Sequence, residues 1–253
     1  MDIDKKHIAV TGAGRGLGAA IAEQLGQYGA IVHLIDVDDA ALQQTSARLS
    51  ELGLTTFGYS ANIADEKSVG SVFKRIADTS GGLDGLVNNA GITRDGLLVK
   101  KKDGVTDFGL SLEQWRAVLD VNLTGVFLCG REAALQMVAK GRGGVIVNIS
   151  SLSREGNMGQ SNYSAAKAGV HALTVVWSKE LSGHGIRTGT IAPGFIDTEM
   201  TQAIRPDVRD KITATIPLRR MGGPEHIAQG VRFIFEHDYF TGRCLEIDGG
   251  MRL

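Results

Sequence analysis

The feature that most constrains the fold is a glycine-rich segment between a strand and a helix. His7–Thr11 is a short apolar run typical of a buried strand, and a helical pattern ends near Tyr28. Between them stands Gly12-Ala13-Gly14-Arg15-Gly16-Leu17-Gly18. Glycines permit a tight turn and close backbone approach, and a helix N-terminus offers free N–H groups and the positive end of a dipole. The segment therefore predicts a phosphate-binding turn of a dinucleotide fold.

The next predicted strand, residues 31–35, ends at Asp36, about twenty residues beyond the glycines. A carboxylate there can bind the adenosine ribose hydroxyls, and the alternative is a helix cap or a solvated turn residue. Asp36 would repel a 2′-phosphate and so favours NAD(H), whereas Arg15 could pair with that phosphate and allow NADP(H). We give Asp36 the greater weight because a strand tip should point at the ribose.

Strands and helices alternate along the rest of the chain. Helical patterns cover residues 38–52, 65–79, 111–137, 160–181 and 224–235, and strand patterns cover 55–59, 83–87, 144–149, 187–191 and 243–247. No linker, low-complexity tract or solenoid repeat interrupts them. The pattern predicts one α/β domain over residues 1–253, with a Rossmann-like, doubly wound parallel sheet of about seven strands and helices on both faces.

Two segments depart from this alternation. Residues 93–110 are polar and turn-like around positions 100–104, which favours a solvated excursion such as a hairpin, while a rim over the substrate is the alternative. Residues 195–215 are predicted to form a mobile, partly helical substrate segment interrupted by Pro206.

A tyrosine and a lysine share one face of the helix predicted near residue 160. Tyr163 and Lys167 stand four residues apart. A phenol has a pKa near ~10, and a neighbouring ammonium lowers it, so the pair can act as an acid or base near neutral pH. Upstream, Ser150 and Ser151 end an apolar run, and a hydroxyl there can hold a substrate oxygen. A surface pair without function is the alternative.

Composition excludes several classes of function. A net charge of −1 gives no basis for nucleic-acid or anionic-membrane binding, and no apolar run is long enough to cross a bilayer. The six histidines show no metal-ligand spacing, so no metal site is expected. Cys129 and Cys244 are predicted to be buried thiols in a reducing compartment. The N-terminus runs straight into a strand, so we expect a cytoplasmic protein without a signal peptide.

Together these motifs resemble the short-chain dehydrogenase/reductase family. The matching pieces are Thr11-Gly12-Ala13-Gly14-Arg15-Gly16-Leu17-Gly18, Asn88-Asn89-Ala90-Gly91, Asn122, Ser151, Tyr163-Ser164-Ala165-Ala166-Lys167, Pro193-Gly194 and Thr198. Their order and spacing match over nearly the whole chain. Each motif alone is weak, but the set is highly specific.

The resemblance implies four catalytic residues. Tyr163 would be the acid/base, and Lys167 would lower its pKa and hold the nicotinamide ribose. Ser151, preferred to Ser150 on the alignment of the preceding strand, would orient and polarise the substrate oxygen. Asn122 would hold a water that connects Lys167 to solvent.

The resemblance also implies a set of residues that hold the cofactor. They are Gly12, Arg15, Gly16, Leu17, Gly18, Asp36, Asn62, Ile63, Asn89, Ala90, Gly91, Tyr163, Lys167, Pro193, Gly194, Ile196 and Thr198. Asn62 would bind the adenine amino group, or it merely shapes a turn.

Within the family, residues 156–163 and 239–250 look most like 3-oxoacyl-[acyl-carrier-protein] reductases, which implies an acyl-thioester or other small-molecule substrate. Those enzymes usually prefer NADPH, whereas Asp36 favours NAD. The long excursion at 93–110 is similar to that of 3-hydroxyacyl-CoA and hydroxysteroid dehydrogenases, so oxidation of such a secondary alcohol with NAD is the alternative. A non-catalytic dinucleotide sensor is a third hypothesis, against which the intact catalytic set argues. The resemblance further implies a homotetramer, with helices 111–137 and 160–181 at one interface.

Overall fold

The computed structural model describes residues 1–202 and 205–252. The helices in this part of the chain are α1 Gly16–Gln27, α2 Asp39–Glu51, α3 Glu66–Ser80, α4 Leu112–Leu119, α5 Gly125–Lys140, α6 Ser161–Glu180, α7 Glu199–Gln202, α8 Pro206–Thr215 and α9 Pro224–Glu236. The strands are β1 His7–Thr11, β2 Ile31–Asp36, β3 Thr56–Ser60, β4 Gly85–Asn88, β5 Val99–Lys102, β6 Val105–Phe108, β7 Gly144–Ile149, β8 Ile186–Pro193 and β9 Arg243–Ile247.

Within the described residues, seven strands form one sheet in the order β3-β2-β1-β4-β7-β8-β9, and each neighbouring pair is parallel. The predicted Rossmann-like sheet is therefore confirmed. The strand order reverses between β1 and β4, so the chain leaves these two strands in opposite directions. In open α/β sheets such a reversal creates a crevice at the carboxyl ends of the strands.

Helices cover both faces of the sheet. Successive strand residues point to opposite sides, so apolar strands present side chains on both faces that the helices bury. On one face, Ile8 and Val10 of β1 pack in the core beneath α1, α2 and α9. On the other face, Ala9 of β1 belongs to the core that includes residues of α3, α5 and α6. The near-continuous apolar runs in the sequence reflect this double burial, which is typical of parallel sheets.

Polar side chains fix where several helices begin. The Asp38 carboxylate accepts a hydrogen bond from the Ala41 N–H at the start of α2. Ser111 accepts from the Gln114 N–H at 3.1 Å, and the Gln114 side chain accepts from the Ser111 N–H at 2.9 Å. This reciprocal pair is the capping box that the sequence pattern predicts.

The helix predicted over residues 111–137 is not continuous. A single π-helical turn, Asp120–Thr124, separates α4 from α5, and the Gly125 N–H bonds to the Asp120 carbonyl five residues earlier. Such turns insert one extra residue into a helix and are frequent at functional sites. The apolar periodicity continues through the turn, which is why the sequence pattern does not reveal it. Asn122 lies in this turn.

The excursion at residues 93–110 contains a hairpin, one of the forms expected for it. β5 and β6 pair antiparallel and form a sheet of their own. Asp103 and Gly104 have φ angles of 52° and 82°, as a tight two-residue hairpin turn requires. We call residues 99–108 the arm.

The segment 195–215 contains α7 and α8. Pro206 does not interrupt a helix but begins α8, where its missing N–H costs no hydrogen bond. Residues 203 and 204 of this segment lie outside the described residues, and the mobility expected for the segment stays a prediction.

Candidate active site

A cleft of about 570 Å³ lies at the carboxyl ends of the central strands, where the strand order reverses. All seventeen residues expected to hold the cofactor line this cleft. Ser151 also lines it, whereas Asn122 is not among the lining residues in the described part of the chain. The structure thus brings together expected residues that are far apart in sequence, from Gly12 to Thr198.

The glycine turn allows the backbone to pack closely where β1 ends. Gly12 has a φ of 65°, and a Cβ atom there would lie 2.8 Å from the Ala90 Cα atom. A Cβ atom on Gly18 would overlap the Gly12 carbonyl oxygen. In the part of the chain that the structure describes, no side chain caps the start of α1, which leaves its first N–H groups open to the cleft. This arrangement fits the diphosphate of a dinucleotide.

Hydrogen bonds from the end of β4 hold the glycine turn in place. The Thr11 hydroxyl accepts from the N–H groups of Asn89 and Ala90, at 3.0 and 3.1 Å. The Asn89 amide donates to the carbonyls of Thr11 and Gly12, at 3.0 and 3.2 Å. The Asn89 side chain therefore joins the end of β4 to the end of β1.

Asp36 is held rigidly at the tip of β2. One carboxylate oxygen accepts from the Gly14 N–H at 2.8 Å, and the other accepts from the Asp38 N–H at 3.0 Å. Arg15, the residue expected to admit a 2′-phosphate, forms an ion pair with Asp38 at 2.9 Å. Both side chains of that pair remain substantially exposed, so the pair is screened by water.

Asn62 shapes a turn at the same end of the cleft as Asp36. Its side-chain oxygen accepts from the Ala64 N–H at 3.0 Å, and its own N–H donates to the Ser68 hydroxyl at 3.0 Å. The turn-shaping alternative is thus observed, while the position of Asn62 on the cleft wall leaves adenine binding as a prediction.

Tyr163 and Ser151 meet at the other end of the cleft. A hydrogen bond from the Ser151 side chain acts to lower the pKa of the Tyr163 phenol, but burial outweighs it and leaves that pKa raised. The neighbouring carboxylate of Asp95 also raises it. The Ser150 hydroxyl instead donates to the Lys167 carbonyl at 2.8 Å. Ser151, rather than Ser150, is therefore the serine hydrogen-bonded to the phenol.

Lys167 is buried behind Tyr163, where its ammonium donates to the Ile149 carbonyl at 2.7 Å and lies 5.6 Å from the centre of the Tyr163 ring. Burial lowers the pKa of Lys167 to about 8. Burial is the largest cause of the raised pKa of Tyr163, and the lowering effect expected of Lys167 stays a prediction.

The Asn122 side chain holds the loop that follows β4. Its oxygen accepts from the Ile92 N–H at 2.8 Å, and its amide nitrogen donates to the Ile92 carbonyl at 2.9 Å. These bonds fix one wall of the cleft, which Ile92 lines. The water-holding role expected of Asn122 stays a prediction.

A family model described as enoyl-(acyl carrier protein) reductase matches residues 12–252. Over 254 aligned positions, the chain is 40% identical to a 3-oxoacyl-[acyl-carrier-protein] reductase of Vibrio cholerae, covering 99% of both proteins. It is 39% identical to the Thermotoga maritima protein of the same name, again with 99% coverage of both. A solved structure of a short-chain type dehydrogenase/reductase from Mycobacterium marinum superposes with a TM-score of 0.90 at 30% identity, covering 98% of this chain and 96% of that one. The chain belongs to the short-chain dehydrogenase/reductase family.

This short-chain dehydrogenase/reductase is an oxidoreductase that acts on a CH–OH/C=O pair with a nicotinamide cofactor. The geometry fits that chemistry, since the glycine turn suits a diphosphate and the phenol stands at the far end of the same cleft. Among the described residues, no group of three His, Cys, Asp or Glu side chains could hold a metal ion. No described helix is long and apolar enough to span a membrane.

Sequence reasoning missed part of the cleft wall. The additional lining residues are Ile35, Val37, Ala61, Ile92, Thr93, Val121, Ile149, Ser150, Leu152, Ser153, Asn157, Gln160, Phe195 and Thr201. Most of them adjoin a motif residue at a strand end, so extending each motif by one or two positions would have found them. Gln160 carries no such signal, because only folding brings it to the cleft, whereas Thr201 lies in α7, within the substrate segment predicted at residues 195–215.

Proposed function

We propose that the protein is a 3-oxoacyl thioester reductase that uses NAD(H). The observation that supports it most is the cleft itself, which has Ser151, Tyr163 and Lys167 at one end and the fixed carboxylate of Asp36 at the other. Relatives named 3-oxoacyl-[acyl-carrier-protein] reductase, aligned over the full chain, support the choice of substrate.

The proton chemistry follows from the positions of the side chains. A reduced nicotinamide cofactor, held by the glycine turn and Asp36, would supply the hydride for the carbonyl carbon of the substrate. Ser151 positions the carbonyl oxygen beside Tyr163, and the phenol donates its proton to that oxygen as it gains charge. A raised pKa keeps Tyr163 protonated at neutral pH, which suits reduction. Alcohol oxidation needs the phenolate, which positive charge from Lys167 and the oxidised nicotinamide favours.

The choice of NAD(H) rests on charge at the ribose end of the cleft. Asp36 cannot turn away from a 2′-phosphate, because both of its oxygens are bonded to backbone N–H groups. Arg15 is the cation best placed to offset this repulsion, but Asp38 already pairs with it. Two carboxylates and one arginine leave this corner negative, which disfavours the phosphate of NADP(H).

Fluorescence titration with NADH and NADPH tests this choice. We expect wild-type protein to bind NADH at least about tenfold more tightly, a difference of about 1.4 kcal/mol. Asp36→Asn keeps one acceptor but removes the charge, so it should shift the preference towards NADPH. Asp38→Asn is the matched variant, which releases Arg15 while Asp36 stays in place. Tighter binding of NADPH by wild-type protein would contradict the assignment.

Turnover measurements distinguish two other functions from the proposed one. The long excursion at residues 93–110 favours a dehydrogenase that oxidises a 3-hydroxyacyl-CoA, a hydroxysteroid or another secondary alcohol with NAD. A panel of 3-oxoacyl thioesters, ketones and the corresponding alcohols, each measured with both cofactors, ranks these activities. Cofactor binding without turnover on any of them would favour a dinucleotide sensor.

The assembly and the compartment are also proposed. Exposed apolar side chains on α5 and α6, namely Phe127, Leu135, Val138 and Val176, support a homotetramer that buries these helices. Two free cysteines, of which Cys129 is buried, support a reducing compartment such as the cytoplasm. We further propose that residues 1–253 act as one domain.

A further inference from the structure

Asn162 is a fully buried residue that the catalytic set does not include. It directly precedes Tyr163 in α6 and is 0% exposed. Its side-chain oxygen accepts from the Tyr163 N–H at 2.8 Å. Its amide nitrogen donates to the Arg94 carbonyl at 2.9 Å and to the Gln114 carbonyl at 3.2 Å. One side chain thus joins the first turn of α6 to α4 and to the loop that follows β4.

The loop that Asn162 holds is the continuation of the cleft wall. Ile92 and Thr93 line the cleft directly before Arg94. After Arg94, Asp95 accepts a hydrogen bond from the Gln160 side chain at 3.1 Å. Next to it, the Gly96 N–H donates to the Gly159 carbonyl at 2.8 Å. The wall and the residues before Tyr163 therefore form one hydrogen-bonded unit, and Asn162 is its buried member.

We propose that Asn162 is a positioning residue that fixes the Tyr163 phenol relative to the cleft wall against which the substrate and the nicotinamide lie. The inference rests on the proposed function only in assuming that Tyr163 transfers a proton. Asn162 is absent from the cleft-lining residues of the described chain, so it acts through Tyr163 and does not touch a ligand. A displacement of about 1 Å of a reacting group can cost on the order of 10²-fold in rate.

Three variants separate positioning from general stability. Asn162→Ala removes all three hydrogen bonds, including the donor to the Arg94 and Gln114 carbonyls. Asn162→Gln keeps the amide and should recover part of the lost rate. Gln136→Ala is the control. The Gln136 side chain also bonds to two backbone segments, but far from the cleft: its amide nitrogen donates to the Phe73 carbonyl at 2.7 Å, and its oxygen accepts from the Leu83 N–H at 3.2 Å. Both alanine variants should lower the Tm.

Steady-state kinetics gives the first readout, with NADH and acetoacetyl-CoA as the probe substrate. We expect Asn162→Ala to lower kcat about 10- to 100-fold, while the Kd for NADH changes by less than about threefold. Gln136→Ala should leave kcat unchanged. An Asn162→Ala enzyme with wild-type kcat, or an equal loss in Gln136→Ala, would overturn the proposal.

Fluorine NMR of protein labelled with 3-fluorotyrosine gives a readout that needs no substrate. Tyr163→Phe assigns the resonance among the four tyrosines. Asn162→Ala should shift or broaden that resonance, and Gln136→Ala should not. If the resonance moves while wild-type protein reduces no thioester, the proposed function fails and the positioning role stands. An unmoved resonance in Asn162→Ala would refute the positioning role whatever the substrate.

Discussion

Burial dominates the proton chemistry of the Tyr163–Lys167 pair. Sequence spacing places the lysine beside the phenol and so suggests a lowered pKa for Tyr163. In the folded protein the loss of hydration raises that pKa and lowers the pKa of Lys167 to about 8. A raised pKa keeps the phenol protonated at neutral pH, which is the form that reduction requires.

His33 is a buried residue outside the cleft that should make stability depend on pH. It is fully buried and lies 3.0 Å from the His7 ring and 3.3 Å from the Tyr59 hydroxyl. Burial, reinforced by positive charge on His7 and Lys140, lowers its pKa from 6.5 to about 3. The pKa of His33 is lower in the folded protein than in the unfolded one. Its contribution to the free energy of unfolding is therefore fully present above pH 6.5 and is lost as the pH falls towards 3.

We expect His33→Phe to flatten the loss of stability in acid. The lowered pKa of His33 makes the free energy of unfolding fall by about 4–5 kcal/mol between pH 6.5 and 3. The His33→Phe variant cannot take up this proton and should not show this fall. At pH 7 the lost hydrogen bonds should cost about 1–2 kcal/mol. Urea unfolding at several pH values measures both effects. His184→Gln, at an exposed position, is the control. Parallel curves for wild-type protein and His33→Phe would contradict the account.

At the scale of elements, the arm is separate from the catalytic sheet. Its strands pair only with each other in the described chain, and none of its residues lines the cleft. We expect replacement of residues 99–108 by a short Gly-Ser turn to leave the Kd for NADH within about twofold. The KM for acetoacetyl-CoA should change equally little. Titration and steady-state kinetics check this, and a large rise in KM would show that the arm is a rim over the substrate.

Elements were predictable where their pattern is local. The capping box of Ser111 and Gln114 marked the start of α4. Pro206, which was expected to interrupt a helix, instead begins α8, because a proline fits the first turn as well as it breaks an interior one. The π-helical turn at Asp120–Thr124 was not predictable, because the apolar periodicity runs through it unchanged. The hairpin was only one form of the excursion expected at residues 93–110, since three consecutive lysines at 100–102 give no apolar alternation, and Val99 and Val105 are both exposed.

At the scale of the whole molecule, the exposed apolar side chains of α5 and α6 test the proposed tetramer. Leu135 is 59% exposed on α5, so a charge there would be buried if the helices pair. We expect light scattering to give the mass of four chains for wild-type protein and a smaller mass for Leu135→Glu. Leu98→Glu, at an exposed position before the arm, should leave the mass unchanged. A monomeric wild-type protein would contradict the assembly.

The sheet and the cleft could be predicted from sequence because short motifs follow successive strands. The glycine turn follows β1, Asp36 ends β2, and Asn89 follows β4, so the topology of a parallel sheet brings them together. What could not be predicted depends on contacts between distant segments. The hydrogen bond from Asn162 to the Arg94 carbonyl is one example. The direction of the Tyr163 pKa shift is another, because it is set by burial among residues that only the fold brings together.

Turnover of Tyr163→Phe tests the central claim most directly. NADH oxidation in the presence of acetoacetyl-CoA should be catalysed by wild-type protein and should fall by about 10²- to 10⁴-fold in the variant. The Kd for NADH should stay within about threefold, because the ring remains and only the hydroxyl is lost. Wild-type turnover together with a variant that keeps most of its rate would contradict the assignment of Tyr163 as the proton donor.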